Sequence, residues 1–577
     1  MRTPAWQRYL PALDWAKGYN RQLLSSDLIA ALIVTVMLIP QSLAYAMLAG
    51  LPAQMGLYAS ILPLVVYALF GSSRTLSVGP VAVASLMTAA AIAGVVDAGH
   101  ADAIGAAIAL ALLSGLMLIA MGLLRFGFFA NFLSHPVVAG FITASGLIIA
   151  LSQLKHILGV EARGENLLEL GISLWRNLHQ VNLPTVAIGA GALVFLFWAR
   201  KGLKGALTGV GFTPANAAVL AKTAPVIVVI VTTVTAYLLN MQVQGVALVG
   251  AIPRGLPSLQ LPVFSAELWS SLAGSALLIS IIGYVESVSV GKTLAAKRRQ
   301  RIDPDQELIG LGGANVASAV SAGFPVTGGF SRSIVNFDAG AATQAASIFT
   351  ALGIAFAALF LTPLLYYLPK ATLAATIIVA VLSLVDFSLL RQTWRYSKSD
   401  FIGLVITIAV TLLLGVEHGV LSGVLASIAL HLYKTSHPHI AIVGEVPGTE
   451  HFRNILRHNV TTHPQIISLR VDESLYFANA AYLEDKVYAL LAENHQVKHV
   501  VLMCSAINEI DMSALETLEA INERLTELDL SFHLSEVKGP VMDCLKKTKF
   551  LQRLSGQVFL TQHQAIEQLT CASGNNQ

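Results

Sequence analysis

Two charged side chains lie where lipid would surround them. Glu286 closes Leu268–Val285, a run with no charge at all, within Gly283-Tyr284-Val285-Glu286-Ser287. Arg332 stands between Ser331 and Ser333, at the end of the apolar run Leu308–Ser331. Charges at membrane depth are costly and by default mark a pathway or a site. A carboxylate there can take up and release a proton, or help to hold a cation, as a cavity alternates between two sides. A guanidinium there suits an anion. The bland readings are an Arg332 that snorkels to the outer water boundary and a Glu286 that only solvates a helix end. Glu417 and Asp338 carry less weight, since both fall near predicted helix ends.

Beside these residues the chain twice breaks its own helical pattern. Ser77-Val78-Gly79-Pro80-Val81 and Gly328-Gly329-Phe330-Ser331-Arg332 are glycine-rich pentads about 250 residues apart, with Pro80 and Pro325 in or near them. Backbone freed at membrane depth is tolerated only where protein buries it or where it lines a cavity. A glycine in a membrane helix often serves close packing alone, so it is the pairing of the two pentads that predicts a site. Helices starting near Val78–Val81 and near Phe330–Arg332 would aim their N-termini at each other. Each such end offers unpaired N–H groups and about half a positive charge, which favours an anion.

The elements that position these residues follow from composition. The 577-residue chain is 55% hydrophobic and 12% charged, with mean hydropathy +0.68; a soluble domain carries about 25% charged residues. Leu28 to Ser73 is long enough for two crossings at roughly 20 residues each. Further runs lie at Thr75–Val96, Ala103–Leu124, Phe126–Leu154, Asn177–Ala199, Thr223–Pro253, Leu268–Val285, Leu308–Ser331, Ala339–Pro369, Ala371–Val385, Phe401–Val416 and His418–Tyr433. They predict about fourteen membrane segments. Equivalent breaks in two seven-segment halves imply an inverted repeat, because an odd number of crossings turns the second half upside down.

Basic clusters at Arg74, Arg125, Arg200-Lys201-Lys204, Lys297-Arg298-Arg299-Arg301 and Arg391/Arg395/Lys398 follow segments 2, 4, 6, 8 and 12. Lys and Arg are retained on the cytoplasmic side, so both termini are expected there, in the plasma (inner) membrane of a bacterium. Residues 1–25 read as an interfacial lead-in, with Arg2, Trp6 and Arg8 among them; they lack the unbroken apolar core of a signal peptide. Residues 26–435 form the membrane domain and 436–577 a soluble domain, where 28 of 142 residues are charged against 41 of 435 before it. The membrane part has 25 Lys/Arg to 16 Asp/Glu, the tail 11 to 17. Nucleic acid is therefore not an expected partner.

In the tail, Ile466–Val471 and Val500–Cys504 read as buried strands, and Ala514, Leu515, Leu518, Ile521, Leu525 and Leu528 recur at helical spacing. An α/β domain is predicted. Cys504, Cys544 and Cys571 match no zinc or CxxC spacing, and a reducing cytosol would leave them as thiols. The tail has no nucleotide fingerprint. The whole chain shows no nucleophile, base or metal-ligand constellation, so neither an enzyme nor a resident metal or cofactor is expected.

Ala53-Gln54-Met55-Gly56-Leu57-Tyr58-Ala59-Ser60, followed by Tyr67 and Gly71-Ser72-Ser73-Arg74, resembles the signature of the sulfate permease (SulP) anion transporters. Pro40-Gln41-Ser42-Leu43-Ala44-Tyr45-Ala46, Ser77-Val78-Gly79-Pro80, Glu286-Ser287-Val288-Ser289-Val290-Gly291-Lys292 and Gly328-Gly329-Phe330-Ser331-Arg332-Ser333 resemble the same family at matching intervals. Met55 departs from the family's tyrosine, ahead of the site. The resemblance implies an all-α membrane domain arranged like uracil permease, in which a core of segments 1–4 and 8–11 moves against a gate that also forms homodimers. It implies an anion pocket of Gln41, Tyr45, Val81, Phe330, Ser331 and Arg332, with Glu286 for coupling.

The resemblance further implies secondary active transport of a small inorganic oxyanion. Sulfate with protons comes first; bicarbonate or dicarboxylate transport or exchange, and an uncoupled channel-like conductor, are the alternatives. Family members that use sodium pair an Asp with a hydroxyl residue one turn on. Here the pair is Glu286 and Val290, which favours the proton. Glu509-Ile510-Asp511-Met512-Ser513 resembles the loop of STAS domains, related to anti-sigma-factor antagonists. Ser513 is then either a phosphosite or, as serine at a helix start usually is, a cap. A binding role for the tail, in assembly or with a regulatory protein, follows.

Overall fold

The computed structural model describes residues 9–99, 101–131, 134–164, 166–213, 217, 221, 223–260 and 264–574; Arg2, Trp6 and Arg8 of the expected lead-in lie outside them. The described residues divide into two units, Met1–Ser427 and Ile428–Gln577.

Among the described residues seven helices are long and apolar enough to span a bilayer: Arg21–Leu48 (segment 1), Ala103–Leu123 (4), His135–Leu158 (5), Leu183–Gly209 (6), Ala266–Lys297 (8), Ala345–Leu365 (11) and Val416–Ser436 (14). Four shorter apolar ones are Gln54–Phe70 (2), Ala82–Asp97 (3), Ala224–Leu238 (7) and Lys370–Leu382 (12). Helices Pro304–Val320 (9), Phe330–Asp338 (10) and Lys398–Leu414 (13) complete fourteen among the described residues. The expected fold class is the one found. One expected boundary is corrected: the run Leu308–Ser331 holds most of segment 9 and the entry into segment 10. Hydropathy cannot see the turn between them, because Ser321–Val326 is itself mostly apolar and buried.

Packing separates the segments into two groups. Segment 9 lies against 4 and 2, segment 8 against 4, and segment 11 against 1, whereas 12 and 13 pack on 5, and 12 on 6. Small residues permit the tightest of these contacts. A Cβ on Gly115 of segment 4 would sit 2.8 Å from the Gly312 carbonyl oxygen, and one on Gly312 as close to that of Gly115, so these backbones touch.

Several buried polar groups clamp the unit. Asp27, wholly buried in segment 1, accepts from the Ala342 and Thr343 backbone N–H groups (2.7 and 3.1 Å) and from the Thr343 hydroxyl (2.6 Å). Glu307, equally buried at the start of segment 9, accepts from Tyr67 Oη (2.7 Å), Ser72 Oγ (2.7 Å) and the Ser72 and Ser73 backbone N–H groups (2.8 Å each). Removing this carboxylate leaves those donors unsatisfied, at about 1–3 kcal/mol for a buried group. Glu307→Ala is expected to cost about 3 kcal/mol or more, read as a lower unfolding temperature of the detergent-solubilised protein; an unchanged temperature would contradict this role.

The C-terminal unit has a six-stranded sheet in the order β4-β3-β5-β6-β7-β8, with β3 Ile440–Glu445, β4 Phe452–Asn454, β5 Ile466–Val471, β6 His499–Met503, β7 Ser531–Ser535 and β8 Val558–Phe559. Strands β5 to β8 are parallel; β4 and β3 are antiparallel to their neighbours. Both predicted strands are present, and so is the predicted helix, as Met512–Glu527. Its cap is Asp511, whose side chain accepts from the Ala514 N–H (2.8 Å). Ser513 lies one residue inside the helix and is exposed, so serine does not fill the capping role.

His533 on β7 is buried beside His499, and burial pushes its pKa down to about 4. An unfolded imidazole titrates near 6.5. The unfolded chain therefore binds the proton first, and the stabilisation from the neutral ring, complete above about pH 6.5, is lost as pH falls toward 4. Thermal unfolding of the C-terminal unit within the full chain should move to lower temperature across that window, and His533→Gln should flatten the dependence. An equal slope in the variant would rule this ring out.

Candidate anion site

The two pentads meet. Strand β1, Val78–Gly79, pairs antiparallel with β2, Thr327–Gly328, in the register Val78↔Gly328 and Gly79↔Thr327. Gly329 N–H donates to the Ser77 carbonyl oxygen at 3.1 Å. Side chains satisfy the rest of the freed backbone. Ser77 N–H donates to Ser333 Oγ (3.0 Å), Gly328 N–H to Ser287 Oγ (2.8 Å), and Val326 N–H to Asn315 Oδ1 (2.9 Å). Asn336 Nδ2 donates to the Thr75 carbonyl (3.0 Å) and Gln344 Nε2 to that of Leu76 (2.9 Å). Segments 8, 9, 10 and 11 thus supply what lipid cannot.

Sequence placed the half-helix starts slightly early at the first break. Val78 and Gly79 form the strand, Ser77 and Pro80 flank it outside any helix, and the helix begins at Ala82 with Val81 as cap. At the second break Gly328 is strand and Gly329 is the cap of the helix beginning at Phe330. The reason is the ladder: its residues must stay extended to pair. Neither helix has a side-chain cap, so the first N–H groups of both stay open to a guest.

Arg332 is 3% exposed, and neither Nη1 nor Nη2 has a hydrogen-bond partner; Glu286, 9% exposed, leaves Oε2 unpartnered as well. The guanidinium lies against both breaks. A Cβ on Gly79 would be 2.8 Å from Arg332 Nη1, and one on Gly329 2.9 Å from Nε and Nη2. Only glycine admits the arginine there. Tyr45, 9% exposed on segment 1, is within electrostatic reach of both Arg332 and Glu286. Val81 is buried, Gln41 partly so, and Phe330 and Ser331 are exposed at the head of segment 10. Pro40, inside segment 1, cannot donate a backbone hydrogen bond, which loosens that helix next to Gln41. Next to Glu286, Ser287 Oγ lies 3.0 Å from Thr327 Oγ1, tying segment 8 to β2.

Asp338 is exposed, and Glu417 accepts from Ser275 Oγ at 2.9 Å. Glu417 lines a hollow of about 1130 Å³ with Met47, Leu86, Ser152, Lys155 and Arg163, at the end of the unit where segments 1, 3 and 5 finish. None of the predicted pocket residues lines it. Sequence reasoning missed Asn315, Gln344, Asp27 and Glu307. The signal was available for Glu307, a carboxylate at the edge of an apolar run like Glu286. Met55, the departure from the family's tyrosine, is buried ahead of the site, and the next residue, Gly56, packs on the Ser42 carbonyl with no room for a Cβ.

The family model described as Sulfate permease family matches residues 24–407, well over half of the chain. The chain belongs to the sulfate permease family. The STAS domain model matches residues 457–565 of this SulP protein. Arabidopsis thaliana "Sulfate transporter 4.1, chloroplastic" is 35% identical over 98% of this chain and 83% of its own length, and Arabidopsis "Sulfate transporter 1.3" is 31% identical over 97% and 87%. Murine Solute Carrier 26 family member A9, an anion transporter solved in its inward-facing state, superposes with TM-score 0.88 at 25% identity, covering 99% of this chain and 95% of that one. The transmembrane domain of the cyanobacterium bicarbonate transporter BicA shares the fold, with TM-score 0.60 at 22% identity over 71% and 98%. The expected bacterial inner membrane finds no support among these relatives: the Arabidopsis proteins are from a plant, and one is named chloroplastic.

Proposed function

We propose that this protein is a secondary active transporter that takes up a small oxyanion, sulfate before others, together with protons. The observation that carries the reading is the unpartnered Arg332 guanidinium, buried where two uncapped helix ends converge. A dianion supplies the acceptors that these donors lack. Glu286, the unpartnered carboxylate within electrostatic reach of Arg332, is the coupling group, and Val290 in place of a hydroxyl residue favours the proton over sodium. Relatives named as sulfate transporters support the choice of anion.

In this reading segments 1–4 and 8–11 carry the pocket past the remaining segments by an elevator movement, and the 1130 Å³ hollow is the vestibule on the side away from the N-terminus. Gln41, Tyr45, Val81, Phe330 and Ser331 shape the pocket around Arg332. The protein works as a homodimer with both termini cytoplasmic, and the STAS domain binds a regulator. Purified protein in liposomes tests the whole. Saturable sulfate uptake driven by an acidic exterior, exceeding that of bicarbonate, fumarate and chloride, is the expected result. Flux that ignores the pH gradient and does not saturate would replace the transporter with an uncoupled conductor.

A further inference from the structure

Three of the five arginines beyond Ser436, namely Arg453, Arg457 and Arg470, line one hollow of about 320 Å³ in the C-terminal unit, with His439, Asn454, His458 and Asp472. Strand pairing brings them together. Because β3 is antiparallel to β5, with Ile440 opposite Val471, His439 just before one strand comes beside Asp472 just after the other. Because β3 is also antiparallel to β4, the turn after β4 folds back along the same edge, with Ile455 N–H donating to the Ile442 carbonyl (3.1 Å). Alternation along β4 buries Phe452 and Asn454 and turns Arg453 outward between them.

The charges in this hollow do not balance. Its one carboxylate, Asp472, is already shared by Arg470 Nε (2.5 Å) and Nη2 (3.2 Å) and by His439 Nδ1 (2.8 Å). Arg453 Nη1 reaches only the Phe452 carbonyl (3.0 Å). Among the described residues no carboxylate lies within ion-pair distance of Arg453 or Arg457. This happens in a domain whose overall charge is the opposite, with 11 Lys/Arg to 17 Asp/Glu. Two guanidinium groups left without an acidic partner line a concavity with room for several heavy atoms, and each can offer a phosphate-type oxyanion a two-pronged set of N–H donors. We propose that the STAS domain holds a second anion site, separate from the membrane pocket, in which Arg453 and Arg457 bind a multiply charged phosphate group.

The group has two possible sources, a soluble phospho-compound or a lipid headgroup. Hydrogen exchange of the full chain distinguishes them. In detergent, pyrophosphate should slow exchange of the 452–458 backbone relative to sodium chloride of equal ionic strength. If slowing appears only in nanodiscs containing phosphatidic acid, and not in phosphatidylcholine alone, the source is a lipid headgroup. The Arg453→Ala/Arg457→Ala double variant should bind at least tenfold more weakly, and Arg453→Lys/Arg457→Lys, which keeps the charge, should fall between. Arg332→Ala should leave the protection unchanged. No protection in either medium, or protection that survives in the double alanine variant, overturns the proposal.

Discussion

Arg332→Ala is expected to weaken sulfate binding about 100-fold while leaving the empty protein at least as stable as before. The two effects share one cause. The guanidinium is buried with both Nη atoms unpartnered, so it contributes little to the resting fold and costs desolvation. Removing a buried charge that makes no hydrogen bond relieves that cost, against the loss of its longer-range attraction to Glu286. Once a dianion occupies the pocket, the same group supplies charge-assisted hydrogen bonds worth about 1.5–3 kcal/mol each, and about 3 kcal/mol corresponds to ~100-fold in affinity. The helix ends at Ala82 and Phe330 remain in the variant, so binding falls rather than disappears. Arg332→Lys keeps the charge without the fork and should lie between. Equilibrium binding of labelled sulfate and a thermal unfolding curve test both halves. Unaltered affinity would remove Arg332 from the pocket, and marked destabilisation would mean that the arginine serves the fold instead.

The second large effect belongs to Glu286. A carboxylate beside an anion pocket repels the guest. At a separation of about 6 Å and an effective dielectric of about 20, one pair of unit charges costs roughly 3 kcal/mol. A proton on Glu286 removes that repulsion, so proton and anion each favour the binding of the other, and the coupling is reciprocal. Glutamine imitates the protonated form permanently. Glu286→Gln should therefore bind sulfate as well as the parent does in acid, independently of pH, and lose the stimulation of uptake by an acidic exterior. Liposome uptake with and without a pH gradient checks this. Proton-driven uptake at the parent rate in Glu286→Gln would end the coupling role.

These predictions rest on residues that the sequence exposes for different reasons. Glu286 and Arg332 stand out because a charge interrupts an apolar run, and the glycine pentads because they cannot continue a helix in lipid. Asn315 and Gln344 do not stand out. Amides are unremarkable in a sequence, and their importance comes from the backbone groups they reach, the Val326 and Leu76 carbonyls and the Val326 N–H. Asp27 reads as a charge just ahead of the first apolar run, yet it is buried against Thr343, more than 300 positions away. The boundary between segments 9 and 10 was hidden because the turn there is buried in protein and so remains apolar.

Composition and local pattern alone determined that this is a membrane protein of about fourteen segments with two equivalent interruptions and an α/β tail. Those properties depend on the cost of putting each residue in lipid or water, which neighbours in the chain suffice to reveal. That Val78 pairs with Gly328, that Gly79 and Gly329 leave room for one guanidinium, and that this guanidinium finds no partner were decided only by the tertiary structure. The contacts join residues about 250 positions apart, and a side chain's hydrogen-bond partners are properties of its surroundings, which no stretch of sequence contains.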